Sequence, residues 1–294
     1  MWGRTGKTIV AASLILLSHI AAANHTISSD GRVLLHLPDG SSAIAEYLPG
    51  ERDKPTLIII HPFLQTGGFS TIRQLADEMS DAGYPVLLPT LTLGVSARDR
   101  PLPCEAIHTD TLADTAKEIS AWVSWLEKGD KNRPPVKTII LIGHSSGTLN
   151  IAEYIRSPAS SVRKSILVSL PYFYDDEGKT IDRQQLKKAR EMLARGDKNL
   201  GKFALAYCNE YVATPEAFLS YAELNRNRVI KLLRQARTQV KIILGSADVR
   251  VSPDWSAQLQ KQGFDVTVIE GGTHFFNKGH EFDLVEAVES ALEL

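Results

Sequence analysis

The chain has 294 residues, 43% hydrophobic and 23% charged, with 33 Lys+Arg against 34 Asp+Glu and a formal net charge of −1. That balance argues against a protein whose main task is gripping nucleic acid or an anionic membrane, since both need a basic excess. Two cysteines are too few for a disulfide scaffold or a four-cysteine metal site, and the composition is not that of a disordered or repeat chain.

Arg4 and Lys7 precede an apolar run from Ile9 to Ala23, and Ala21-Ala22-Ala23 offers the small residues a signal peptidase reads. Residues 1–23 are therefore predicted to be a secretory signal peptide cleaved after Ala23, leaving a periplasmic or secreted mature chain, residues 24–294. The run is short for a membrane span of about 20 residues, and no later run is long enough, so no stable membrane insertion of the mature chain is expected. Gly3 to Thr8 ends like a phosphate-binding loop, but Met1 stands where the first glycine is required.

The mature chain alternates strands and helices. Val33–Leu37 and Ala43–Leu48 around Pro38-Asp39-Gly40 read as a hairpin. Thr56–Ile60 is a continuous apolar run of the kind covered on both faces. A helical stretch follows over Thr71–Ala82, then a strand over Pro85–Leu88 and a helix over Leu112–Leu126. Val136–Ile142 is a strand and Leu149–Ile155 a helix. Strands over Ser165–Leu170, Val240–Leu244 and Val266–Ile269 and helices over Trp255–Gln262 and Glu281–Leu292 complete the pattern. The fold class expected is α/β, a doubly wound and mostly parallel sheet. Between Leu170 and Val240 the alternation stops. Helical patterns without a strand signal, one of them Gln184–Arg195, predict a helical cap over about residues 176–224.

The residues with chemistry fall at strand ends. Gly143-His144-Ser145-Ser146-Gly147 leaves a buried strand and opens a helix. A serine on such a turn is lifted above the sheet, and the helix N-terminus aims amides and partial positive charge at it. Ser145 is the candidate nucleophile.

With these residues in place the sequence resembles the α/β-hydrolase superfamily over essentially the whole mature chain. The resemblance implies an acid after a later strand and a histidine after the last one. Asp248, just beyond Val240–Leu244, and His274, after Gly271-Gly272, fit that order, with Asp254 and Glu270 as alternative acids. His274 would take the serine proton and Asp248 would hold the imidazole tautomer. The oxyanion would be met by the N–H of Ser146 and by one from the loop His61–Gly68. That loop departs from the family's usual His-Gly start. Pro62 has no N–H, so Phe63 becomes the donor, with Leu64 behind it.

Leu64, His144 and Tyr172 are candidate substrate contacts, although His61 and His144 read first as structural residues. Phe173 and Tyr174 could extend an aromatic wall with Tyr172. His108 could orient the helix after it or approach the substrate, and His280 stands at the start of the last helix. In an oxidising compartment Cys104 and Cys208 would pair, stapling cap to core. No metal site or cofactor is expected. The reading is an exported serine hydrolase acting on a small-molecule ester or acyl substrate. A peptidase or thioesterase on the same fold, or a non-catalytic binding protein, is the alternative.

Overall fold

The longest continuous apolar runs become the middle of a sheet. The computed structural model describes residues 25–27, 31–131, 133–173 and 183–293. The signal-peptide reading, Tyr174 and the start of the predicted cap lie outside the described residues.

Three short strands come first: β1 (His25–Ile27), β2 (Arg32–His36) and β3 (Ser42–Leu48). Then β4 (Thr56–Ile60), α1 (Ser70–Asp81), β5 (Val86–Thr90), α2 (Leu112–Lys128), β6 (Ile139–His144), α3 (Ser146–Tyr154) and β7 (Val162–Val168) alternate. The inserted segment holds α4 (Arg183–Ala194), β8 (Gly201–Leu205), β9 (Cys208–Ala213), α5 (Pro215–Ala222) and α6 (Arg226–Leu233). β10 (Gln239–Gly245), α7 (Trp255–Lys261), β11 (Asp265–Ile269) and α8 (Glu281–Leu292) end the chain.

Nine strands form one sheet in the order β1-β2-β3-β5-β4-β6-β7-β10-β11. β1, β2, β3 and β5 pair antiparallel, and from β5 through β11 every pairing is parallel. β4, β5 and β6 are buried at every position, as strands covered on both faces must be. Ile72, Leu75 and Met79 of α1 and Leu284 and Val288 of α8 pack on one face with Leu57 and Ile59. Trp122 and Leu126 of α2, Leu149 of α3 and Trp255 of α7 pack on the other with Ile58 and Ile60. The strand predicted from Val136 starts only at Ile139. Pro134 and Pro135 cannot donate to a ladder, and the Val136 N–H turns back to Leu126 O at 3.0 Å.

The insertion differs from the all-helical expectation. β8 and β9 form an antiparallel hairpin of their own. Its strands alternate, with Phe203, Leu205, Tyr211 and Ala213 buried and Lys202, Asn209 and Glu210 exposed. Phe203 stacks on Phe218 of α5 with centroids 4.1 Å apart. The hairpin docks on the segment before α2, where the His108 N–H donates to Val212 O at 2.8 Å and Cys104 is disulfide-bonded to Cys208. His108 stacks on Tyr211 (4.1 Å between centroids) and does not cap α2. Thr111 does, accepting from the Asp114 N–H while Asp114 answers with its carboxylate. Among the described residues no helix is long and apolar enough to cross a membrane.

Candidate active site

Ser145 joins β6 to α3 with φ 54° and ψ −126°, a conformation that costs a non-glycine residue about 1–3 kcal/mol. The turn holds because its N–H donates to Val168 O at 2.9 Å and because Gly147 lies against β4. A Cβ on Gly147 would stand 2.5 Å from Ile60 O, so no other residue fits this packing.

The ends of β10 and β11 meet in the same way. A Cβ on Gly245 would be 2.1 Å from Gly272 O, and that close approach lets the Ala247 N–H bond Gly272 O at 2.9 Å. Asp248 and His274, which follow these two turns, are thereby brought side by side. His274 Nδ1 lies 2.7 Å from Asp248 Oδ2, and His274 Nε2 lies 2.8 Å from Ser145 Oγ. Asp248 is 7% and His274 4% exposed. The second Asp248 oxygen accepts the Arg250 N–H at 2.8 Å. The rival acids are elsewhere: Asp254 pairs with Arg226 at 3.1 Å, and Glu270 faces solvent.

Ser145 and His274 open on a cleft of about 410 Å³ walled by Phe63, Tyr172, Phe173, Tyr207 and Phe275. Among the described residues neither the Ser146 N–H nor the Phe63 N–H has a hydrogen-bond partner. The first belongs to the opening turn of α3, where amides have no intrahelical acceptor.

A profile of the alpha/beta hydrolase family matches residues 57–288. The chain belongs to the alpha/beta hydrolase family. Solved structures of the same fold include Est1E from Butyrivibrio proteoclasticus, with 19% identity, a TM-score of 0.63, and 89% of this chain and 97% of that one covered. A monoacylglycerol lipase from Paleococcus ferrophilus has 14% identity and a TM-score of 0.63, covering 85% of this chain and 98% of its own. The esterase EaEST from Exiguobacterium antarcticum has 14% identity and a TM-score of 0.61, covering 89% and 99%. A comparison with curated protein sequences returns no match.

Of the candidate substrate contacts in this hydrolase, Tyr172 lines the cleft and the other two do not. His144 lies beneath it, 2% exposed, and its Nε2 bonds His274 O at 2.8 Å. Burial, reinforced by the charge of His274, pushes the His144 pKa down to about 3, so this ring stays neutral. Leu64, at φ 58°, turns instead to a separate cavity of about 20 Å³ beside Asp110 and Asn150, room for about one water. Its strained backbone is what reverses the chain behind Phe63.

Two positioning groups of the hydrolase left no mark in the sequence. The Ser169 hydroxyl donates to His274 O at 2.8 Å, beside His144. Arg98, 4% exposed, donates to Leu91 O (2.9 Å), Gln65 O (2.7 Å) and Arg100 O (2.7 Å). It thus clamps the loop that carries Phe63, and burial lowers its pKa to about 10. His61 completes the clamp. Its Nδ1 bonds Pro62 O at 2.8 Å while Nε2 accepts the Leu91 N–H at 3.0 Å, and burial, then the charge of Arg98, pushes its pKa down to about 3.

Proposed function

We propose that this chain is an exported serine hydrolase that cleaves a carboxylic ester through an acyl-enzyme on Ser145. One observation carries the reading: Ser145 Oγ, His274 and Asp248 stand in a continuous hydrogen-bonded line, with contacts of 2.8 and 2.7 Å, at the floor of an open cleft. A hydroxyl is a weak nucleophile near neutral pH, and an imidazole at this distance is the base that activates it.

In the proposed cycle His274 Nε2 accepts the Ser145 proton as Oγ attacks the ester carbonyl carbon. Asp248 keeps the proton on Nδ1 and stabilises the imidazolium. The carbonyl oxygen, now an anion, takes the free N–H groups of Phe63 and Ser146 at the positive end of α3. The C–O bond breaks, the alcohol leaves with the proton from His274, and an acyl ester remains on Ser145. Water, deprotonated by His274, attacks that ester; the acyl C–Oγ bond breaks, the acid leaves, and His274 returns the proton to Ser145 Oγ. Tyr172 and Phe63 would flank the acyl or alcohol part.

The esterase and lipase named among structures of the same fold make an ester the first substrate to try. Export is supported by the apolar N-terminal run and by a disulfide, a bond that persists in oxidising compartments.

Labelling with a fluorophosphonate tests the reading. The wild-type chain should be modified at Ser145, and Ser145→Ala should lose labelling together with about 10⁴–10⁶ of its turnover on a p-nitrophenyl ester. Retained turnover in that variant rejects the nucleophile.

A further inference from the structure

Arg250 is the one permanently charged side chain among the described residues lining the cleft. It stands two residues beyond Asp248, and its own N–H donates to that carboxylate at 2.8 Å, so its backbone is fixed to the site. The guanidinium lies 4.9 Å from the centroid of the Phe275 ring. That ring meets the His274 imidazole edge-on, with centroids 5.0 Å apart. The positive charge is thus one aromatic ring away from the proposed base.

The neighbouring cation on the exposed side has an anionic partner, whereas buried Arg98 spends its donors on backbone carbonyls. Arg226, which packs over Tyr172, is paired with Asp254 at 3.1 Å. Among the described residues no carboxylate lies within ion-pair distance of the Arg250 guanidinium. The Asp248 carboxylate is already bonded to His274 and to the Arg250 N–H. Among the described residues lining the cleft, the polar groups besides Ser145, His274 and Arg250 itself are neutral: the Gln65 amide and the hydroxyls of Tyr172 and Tyr207, the last bonded to Phe63 O at 3.2 Å.

Arg250 is exposed, and its cation–π contact with Phe275 restrains a long side chain beside the cleft, which lowers the entropy lost on binding. Walls of aromatic rings reduce the local dielectric and strengthen attraction for an anion. The planar fork matches the two oxygens of a carboxylate.

We propose that Arg250 is a specificity residue that binds a carboxylate on the substrate. The preferred esters then carry a second, anionic group a short distance from the scissile bond, with an apolar or aromatic body between. The proposal rests on the ester-cleaving reading of the same cleft.

Two pairs of esters, each with and without a terminal carboxylate, test it. p-Nitrophenyl hemisuccinate against p-nitrophenyl butyrate places the charge on the acyl side. 4-Carboxyphenyl butyrate against phenyl butyrate places it on the alcohol side. The readout is the ratio of kcat/KM, anionic over neutral, which cancels any general loss of activity in a variant. In at least one pair Arg250→Gln should lower that ratio about tenfold, and Arg250→Glu should lower it further, below one. Arg250→Lys should keep part of it, and raising the salt concentration should shrink the wild-type ratio. A ratio unchanged in Arg250→Gln for both pairs overturns the proposal. Fluorophosphonate labelling of each variant separates the two levels. A labelled protein without charge discrimination loses only the role of Arg250, whereas an unlabelled wild type loses the serine hydrolase reading and this one with it.

Discussion

His274 is held from behind as well as through its ring. Its carbonyl accepts from the Ser169 hydroxyl and from His144 Nε2, each at 2.8 Å. Removing one of two donors to a buried carbonyl costs about 1 kcal/mol. Ser169→Ala is therefore expected to lower kcat on a p-nitrophenyl ester about fivefold with KM little changed, because the hydroxyl touches no substrate. A rise in KM with constant kcat would show that Ser169 shapes the cleft instead. At this scale the sequence is legible where chemistry needs a local pattern. Ser145 sits between two glycines, Gly147 demanded by packing against β4 and Gly143 by the close approach of the Gly147 backbone, and Asp248 and His274 each follow a strand. Ser169 is not legible, since a hydroxyl bonding a carbonyl 105 residues away imposes no spacing on its neighbours. His144 reads first as a prop but also as a wall, because its direction depends on the turn geometry and not on its place in the motif.

The elements of the sheet other than β1, which is not among those expected from the sequence, are readable for a simple reason: the central strands β4, β5 and β6 are buried on both faces, so nearly every position is apolar. The β8–β9 hairpin is not. Each strand is only five or six residues long, its buried side chains alternate with charged ones, and its turn at Ala206 (φ 53°) lacks the glycine that usually marks one. What fixes the hairpin is tertiary, the Phe203–Phe218 stack and the bond between Cys104 and Cys208. That bond spans 104 residues of sequence and ties the hairpin to the segment before α2. Closing a loop of that length restricts the unfolded chain by up to about 4.7 kcal/mol, and measured losses on removing a native bond run about 2–5 kcal/mol. The Cys104→Ser, Cys208→Ser double variant should accordingly unfold in urea with a stability lower by about 3 kcal/mol. Equal midpoints and slopes for the two proteins would mean that the hairpin is secured by packing alone.

Four buried titratable groups act on the molecule as a whole. His61 and His144 are neutral in the fold, with pKa values near 3 set first by burial, whereas in the unfolded chain they titrate near 6.5. As pH falls from about 6.5 to 3 the unfolded chain takes up two protons that the fold refuses, so this pair makes stability fall with falling pH. Asp110 and Glu118 are shifted in the other direction. Burial, then the charge of Glu118, raises Asp110 to about 8, and burial, opposed by hydrogen bonds from Thr92, raises Glu118 to about 7. As pH rises from about 4 toward 8 the fold keeps protons that the unfolded chain has lost, so this pair makes stability fall with rising pH. Between about pH 4.5 and 6.5 the imbalances of these four groups are equal and opposite, which leaves the climb with pH contributed by His108, whose pKa burial also lowers. Of these four, the carboxyls are unmatched above 6.5 and the histidines below 4, each unmatched proton giving a slope of about 1.4 kcal/mol per pH unit. Asp114 and Glu223, held low against burial by their hydrogen-bond partners, add to the fall in acid. Asp110→Asn removes one of the two carboxyls from this balance without adding a charge. Its urea midpoint should climb more steeply than that of the wild type from pH 4.5 to 6.5 and should fall less than the wild type between 6.5 and 8. A wild-type midpoint that climbs steadily from pH 4.5 to 8 would show that the two carboxyls are ionised in the fold, with their charge answered by Arg98.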